Sequence, residues 1–257
     1  MTSRVVGERG SAAPQSQTDV VIHEIKRLVL DGILGPGARL PVEKELAAQL
    51  GVSRGSLREG VRALVHLGVL ETRQGDGTYV TELDAGRLLS PLGFLAELTT
   101  PGNAAQLLGV RRVLEAESAA LAALSIDEAG LDSLAEALAR ADSALHPTGT
   151  DVEAFLDADT DFHCQIAAST GNPALAALIG NLIGRTERAR VVRAMSDHGA
   201  VRSTQAEHYA ILAELRRRDP QRARIRMEAH LLGVEEFARA HPVEILSDAA
   251  EAARASQ

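Results

Sequence analysis

The chain has 257 residues, 45% of them apolar, enough for a buried core in one large domain or two modest ones, and this excludes a disordered chain. Lys and Arg number 27 against 35 Asp and Glu, a formal charge of −8, so no global basic field advertises nucleic acid or membrane binding. One cysteine excludes a disulfide framework and a cysteine-rich zinc site, and 2% aromatic residues are too few to stack on single-stranded bases.

No run approaches the roughly 18 apolar residues of a membrane span, and Met1–Gln17 lacks the apolar core of a secretory signal. The expectation is a cytoplasmic protein with no membrane partner. Residues 1–17, rich in Ser, Gln and Gly, read as a flexible arm. Val21, Ile22, Ile25, Leu28 and Val29 then recur at helical spacing, with Thr18 or Asp19 placed to cap and Gly32 to stop. Gly35-Pro36-Gly37 is a turn, and Leu40-Pro41 is an extended pair leading into a second helix. A third helix starts at Ser53, whose hydroxyl can cap it, and runs towards Leu67-Gly68. Between Val69 and Val80 the period falls to two, and Gln74-Gly75-Asp76-Gly77 in the middle suits a tight hairpin.

After Leu83 the pattern predicts helices over about 84–98, 104–124, 127–145, 151–169, 174–194, 202–217 and 220–240. The breakers between them include His146-Pro147, Gly171-Asn172-Pro173 and Asp219-Pro220. The predicted fold is mainly α: a winged helix–turn–helix unit at 18–82, an all-α antiparallel bundle of six to seven helices at 83–242, and a tail at 243–257.

Glu43–Leu50, the turn at Gly51-Val52 and the helix from Ser53 have helix–turn–helix spacing. The second of these helices opens Ser53-Arg54-Gly55-Ser56-Leu57-Arg58, with Arg54 and Arg58 on one face and Leu57, Val61 and Leu64 on the opposite, core-facing stripe. Recognition helices reach base edges from their N-terminal residues, which makes Ser53, Arg54, Ser56 and Arg58 DNA-contact candidates, with the Gly75–Gly77 hairpin as a wing. Residues 18–82 hold eight Lys or Arg against nine Asp or Glu, so any positive surface must be local. By spacing alone the unit reads equally well as a small α/β domain with two exposed arginines.

The full string is more specific. Pro36-Gly37, Leu40-Pro41-Val42-Glu43-Lys44-Glu45-Leu46-Ala47, Gly51-Val52-Ser53-Arg54, Leu57-Arg58-Glu59, Leu67-Gly68 and Gly75-Asp76-Gly77-Thr78-Tyr79-Val80 follow in order. This resembles the winged-helix domain of GntR-family transcription regulators over nearly all of 20–80. The resemblance implies DNA contacts from Lys44, Arg54 and Arg58, with the wing around Gly75 and Gly77 entering the minor groove of a double-stranded operator. The first position is more often Arg in the family; Lys44 keeps the charge but loses the planar fork.

In the helical half, His146 and His241 precede prolines, His198 sits in a polar break and His23 stands apart from other candidate ligands. His66, near the end of the recognition helix, reads as a backbone or phosphate contact. That leaves His163, His208 and His230, with Asp159 four residues before His163 and so on its face. Carboxylate and imidazole ligands from facing helices are how bundles build metal sites, and this set suits Zn, Ni, Co, Mn or Fe as divalent ions. Asp-x-x-x-His is a weak motif, and by spacing alone a set of ordinary helix histidines is the plainer reading.

Asp159-Thr160-Asp161-Phe162-His163, Gly171-Asn172-Pro173, Glu207-His208, Met227-Glu228-Ala229-His230 and the Arg111–Glu115 stretch together resemble the all-helical effector domain of the FadR subfamily. That resemblance implies a metal site at Asp159, His163, His208 and His230. It also implies a cavity-facing Arg111 that pairs with the carboxylate of a small organic acid, such as a hydroxy- or sugar acid. Helix phase adds Asn181 as a polar effector contact. Asp161 is expected to face solvent, and Cys164 to be a small buried thiol. The reading is a ligand-responsive regulator, most simply a repressor, acting as a homodimer on an inverted repeat. The alternatives are a sensor of the metal ion itself and a metal-dependent hydrolase. The second lacks an H-E-x-x-H arrangement and a distinct general base.

Overall fold

The computed structural model describes residues 16–91, 104–146, 149–196 and 199–242. The chain forms two compact units, residues 1–88 and 89–257. Residues 1–15 of the expected arm and the expected tail at 243–257 lie outside the described residues.

The first unit is three helices and a hairpin. α1 (Gln17–Leu30) buries Val21 and Ile25. It is capped by Ser16, whose hydroxyl accepts from Asp19 N while the Asp19 side chain accepts from Ser16 N, so the cap lies two or three residues before the expected Thr18 or Asp19. α2 (Glu43–Leu50) ends at Gly51, and α3 (Arg54–His66) begins at Ser53, whose hydroxyl accepts from Ser56 N. α3 buries Leu57, Gly60 and Leu64. Gly60 is there for closeness: a Cβ at this position would lie 2.5 Å from Val21 Cγ1 on α1. β1 (Leu70–Arg73) and β2 (Gly77–Val80) pair antiparallel, Leu70 opposite Val80 and Arg73 opposite Gly77, and a single bridge adds Arg39 to Tyr79. Leu70 and Val80 are both buried and close the sheet onto a core of Val21, Ile25, Leu46, Leu57 and Leu64.

In the second unit, six helices stand among the described residues: α4 (Ala104–Ser125), α5 (Glu128–Ser143), α6 (Val152–Ala168), α7 (Pro173–Ser196), α8 (Ala200–Arg216) and α9 (Pro220–Ala240). Their N-termini are capped where the sequence places short polar residues. Asp127, Asp151 and Asp219 accept from Gly130, Ala154 and Arg222, and Asn172 Oδ1 accepts from Leu175 N. The predicted helix at 84–98 is helical over 85–91; residues 92–98 lie outside the described residues.

Two short strands, β3 (Leu145–His146) and β4 (Gly149–Thr150), pair across the His146-Pro147 break. The periodicity predicts that the preceding helix runs to 145. The structure ends it at Ser143, because a residue before proline is pushed out of the helical region and the chain turns into a ladder there. Ala119, Ala120, Ala122 and Ala123 are buried along α4, whose most extensive packing is against α9. Phe162 and Ile166 of α6 meet Ile211, Leu215, Ala223 and Met227 in the same core. α6, α8 and α9 thus share one core, and each brings a histidine to one point.

Candidate metal centre and DNA interface

α3 presents Arg54 and Arg58 exposed on one face, and Lys44 is exposed on α2. Arg58 Nε donates to Glu43 Oε2 at 2.8 Å while its side chain stays 61% exposed, so the guanidinium is oriented by α2 yet open to a ligand. Ser53 and Ser56 are committed locally. Their hydroxyls lie 2.9 Å apart, and Gln17 Oε1 on α1 accepts from both Ser53 N and Ser56 Oγ. They set the angle of α3 and present a helix N-terminus, which favours phosphate. At the wing, Gly75 (φ 75°) and Gly77 (φ 141°) make the turn. The Arg39 guanidinium lies over Gly77 and donates to the Asp76 carbonyl, and Arg73 stacks 4.2 Å above the Tyr79 ring. Arg39 and Arg73 thus add two wing cations that the sequence reading did not single out. Arg39 is brought to the hairpin by its bridge to Tyr79, a contact 40 residues apart that no local pattern signals.

In the bundle, the four expected ligands meet. One ring nitrogen each from His163, His208 and His230 lies within 4.8 Å of the other two, and all three rings are buried. His208 Nε2 and His230 Nε2 are 3.3 Å apart, the spacing two nitrogens take on a tetrahedral zinc at about 2.05 Å. Asp159 Oδ1 is 3.5 Å from His208 Nε2 and 4.0 Å from His163 Nε2. The donor set therefore fits a divalent metal ion, with three imidazoles as its core and the carboxylate beside them.

What orients the imidazoles is a second set of residues. His230 Nδ1 lies 2.8 Å from Glu207 Oε2, and His163 Nδ1 lies 2.5 Å from Glu115 Oε2. Burial would raise the Glu115 carboxyl, but Arg111 and then His163 outweigh it and hold it at about 2. Burial also opposes ionisation of Glu207, and the His230 hydrogen bond overcomes it. Both carboxylates are ionised and can only accept; at His230 this puts the proton on Nδ1 and turns the Nε2 lone pair to the centre, whereas His163 and Glu115 make a close charge contact without hydrogen-bond geometry. Burial, then the neighbouring His230, pushes the His208 imidazole well below its usual range, with Asp159 opposing. His230 is pushed down by burial against the Glu207 hydrogen bond. Both are neutral near pH 7, the form that binds a metal.

A small cavity of about 30 Å³ adjoins the centre and is lined by Arg111, Arg190, Arg193, Asp159, His163 and His230 together with apolar side chains. Arg111 is fully buried. Its Nε donates to Glu115 Oε1 and its Nη1 to Thr186 Oγ1, both at 2.7 Å, while Nη2 has no protein partner. Asn181 does not line this cavity; its amide donates at 2.9 Å to Ala177 O on its own helix. Asp161 pairs with exposed Arg140, and Cys164 is a half-buried thiol raised chiefly by burial. Glu115, Glu207, Thr186 and Arg190 were not anticipated. An Arg and a Glu four apart on an otherwise Ala- and Leu-rich helix was the one local signal for any of them.

A winged helix with two exposed recognition-helix arginines, in a chain whose other unit is a helical bundle around a polar centre, defines a DNA-binding transcription regulator. Residues 17–80 match the bacterial regulatory proteins of the gntR family, and residues 106–233 match the FCD domain, the FadR-like helical domain. The HTH-type transcriptional repressor NanR of Citrobacter rodentium is 30% identical over 227 residues, 86% of this chain and 85% of that protein. NanR of Escherichia coli K12 is also 30% identical over 227 residues, 86% of this chain and 84% of its own. The solved structure of a Streptococcus agalactiae GntR superposes with a TM-score of 0.65 at 28% identity, covering 85% of this chain and 99% of that one. The chain belongs to the gntR family of bacterial regulatory proteins; its relatives are transcription regulators and not enzymes. No described helix is long and apolar enough to cross a membrane.

Proposed function

We propose that the chain is a repressor that binds an inverted-repeat operator as a homodimer and responds to a small organic acid taken up at a metal centre. Residues 18–82 are the reading head, with Lys44, Ser53, Arg54, Ser56 and Arg58 at the major groove and Gly75 and Gly77 at the minor groove. Residues 83–242 form the effector-binding and dimerising bundle. The 30% identity to proteins named as repressors supports the sign of regulation.

The observation that carries the reading is the convergence of His163, His208 and His230 beside Asp159 on an arginine-lined cavity. These four residues would hold a divalent ion, zinc or nickel first by donor chemistry. The bound ion supplies positive charge and an open position for a carboxylate or hydroxyl. Arg111 Nη2, buried and without a protein partner, would donate to the same acid. Coupling between the bundle and the heads of about 1–3 kcal/mol would switch DNA affinity about 5–150-fold.

One observation favours a second reading, in which the metal ion is itself the signal. The cavity of about 30 Å³ has room for about one or two waters, so a sugar acid enters only if side chains move. Metal analysis of the purified chain, of Asp159→Ala and of His208→Ala is the first test. It is followed by DNA affinity on an operator selected from random duplexes, measured with chelator, with zinc, and with zinc plus each of a panel of hydroxy-acids. Roughly stoichiometric metal that both variants lose supports the centre. A change in DNA affinity with zinc alone selects the metal-sensing reading, and a change only with zinc and an acid selects the effector reading. A metal-replete wild type that holds no ion overturns the centre and leaves the DNA-binding assignment standing.

A further inference from the structure

Asp159 and Arg190 are both buried, and they face each other from α6 and α7. Arg190 Nη1 donates to Asp159 Oδ2, leaving Oδ1 towards His208 and His163. The guanidinium is pinned in this place: Nη1 and Nη2 lie 3.3 and 3.2 Å from Thr160 Oγ1, and Nη2 lies 3.4 Å from Ile183 O. The other buried carboxylate at the centre, Glu115, has its own guanidinium in Arg111. Each buried anion at the centre is therefore matched by a fixed cation of the protein. A site whose carboxylates had no such partners would need the metal's charge in order to fold, because an unpaired buried carboxylate is strongly destabilising.

We infer that Arg190 is a built-in counter-ion for Asp159 that lets the bundle fold without metal, so that metal occupancy is a signal and not a condition of folding. This rests on the metal reading above and assigns its regulation. Arg190 takes one carboxylate oxygen and leaves the other for the ion. Its positive charge, beside the ligand, lowers the affinity for a second cation and keeps the metal exchangeable. Arg190 is a positioning residue here, since it acts through Asp159.

The test uses the full-length protein, melted with chelator and with saturating zinc chloride, with bound zinc per chain measured in parallel. The variants are Arg190→Gln and the double change Asp159→Asn with Arg190→Gln. Wild type keeps a cooperative transition under chelator. Arg190→Gln under chelator melts roughly 6–20 °C lower, the shift expected for leaving one buried charge unpaired in a domain of this size, and zinc recovers most of that loss. The double variant, with no charge left to pair, regains the chelated melting point and shows no zinc shift. Three results overturn the inference: chelated Arg190→Gln melting with wild type, a loss that the added Asp159→Asn does not recover, or a wild type that unfolds on chelation. If wild type binds no zinc, the metal reading and the signalling half fail together. The chelated comparison of single and double variants then still decides whether Arg190 is the counter-ion.

Discussion

Glu207 Oε2 lies 2.8 Å from His230 Nδ1, and this one contact decides which nitrogen of His230 faces the centre. An ionised carboxylate accepts, so the proton sits on Nδ1 and the Nε2 lone pair points at His208 and the cavity. Glu207 is 38% exposed, unlike the buried Glu115 beside His163, so it can be changed with little disturbance to packing. Glu207→Gln is expected to weaken zinc binding about 10- to 100-fold, as loss of a carboxylate behind a ligating imidazole does elsewhere. The melting point of the chelated protein should barely move. Isothermal titration with zinc, against a competing chelator if binding is tight, reads this directly; unchanged zinc affinity would show that Glu207 is only a surface acid.

The buried imidazoles also set a pH dependence for the chelated protein. His208 and His230 titrate below their ordinary range because burial disfavours the imidazolium, so the unfolded chain binds those protons more readily than the folded one. Above about pH 7 both states are unprotonated and the imidazoles contribute nothing. As the pH falls below about 6.5, unfolding takes up protons and stability declines, by at most about 1.4 kcal/mol per pH unit for each imidazole. Glu115, held at about 2, adds a loss of its own only below about pH 4.3, where the unfolded carboxyl protonates and the folded one does not. Urea unfolding at pH 8, 7, 6 and 5 should show a plateau and then a decline, and His208→Gln should make the decline shallower. Stability that rises from pH 7 to pH 5 would contradict the burial of neutral imidazoles.

Local features were legible in the sequence, and partners brought from afar were not. Gln74–Gly77 between two period-two runs located the hairpin, and Asp127, Asp151 and Asp219 stand where helix starts were read. Asp159 and His163 share a helix face, so their juxtaposition follows from spacing alone. That His208 and His230 join them needed the family resemblance, because helix phase does not say which faces meet. Glu115, Glu207 and Arg190 each lie on a different helix from the histidine or carboxylate they face, and charged residues on helices ordinarily read as solvated. The Leu145–Thr150 ladder was missed because two-residue strands leave no periodicity to detect.

The close approach of α1 and α3 gives a prediction confined to the reading head. A methyl group at Gly60 would stand 2.5 Å from Val21 Cγ1 and 2.8 Å from Val21 Cβ, and a β-branched side chain in a helix has almost no alternative rotamer to move into. Alanine would otherwise stabilise a helix interior by about 1 kcal/mol relative to glycine, so the sign of the change tests the contact. Gly60→Ala is expected to destabilise the first unit by about 1–3 kcal/mol, the usual cost of overpacking, and to lower DNA affinity at elevated temperature. Zinc content should not change. Val21→Ala should restore the loss in part when combined with it, and chemical denaturation of the two single variants and the double variant measures the coupling.

The DNA face separates into residues that read bases and residues that read charge. Arg54 and Arg58 project from the first turns of α3, and Arg58 is aimed by Glu43 while remaining 61% exposed. Replacing either with Ala is expected to cost about 1–3 kcal/mol on the selected operator and far less on random duplex, because a guanidinium can bond two acceptors of one guanine. Glu43→Gln should give a smaller loss of the same kind, since it removes only the group that orients Arg58. Lys44 is a point charge without a planar fork, so Lys44→Ala should weaken binding to every sequence alike and reduce the slope of log affinity against log salt by about 1. Fluorescence anisotropy across a salt series, on operator and random duplex in parallel, distinguishes the two classes. Equal losses on both duplexes for Arg54→Ala and Arg58→Ala would reassign these arginines to the phosphate backbone.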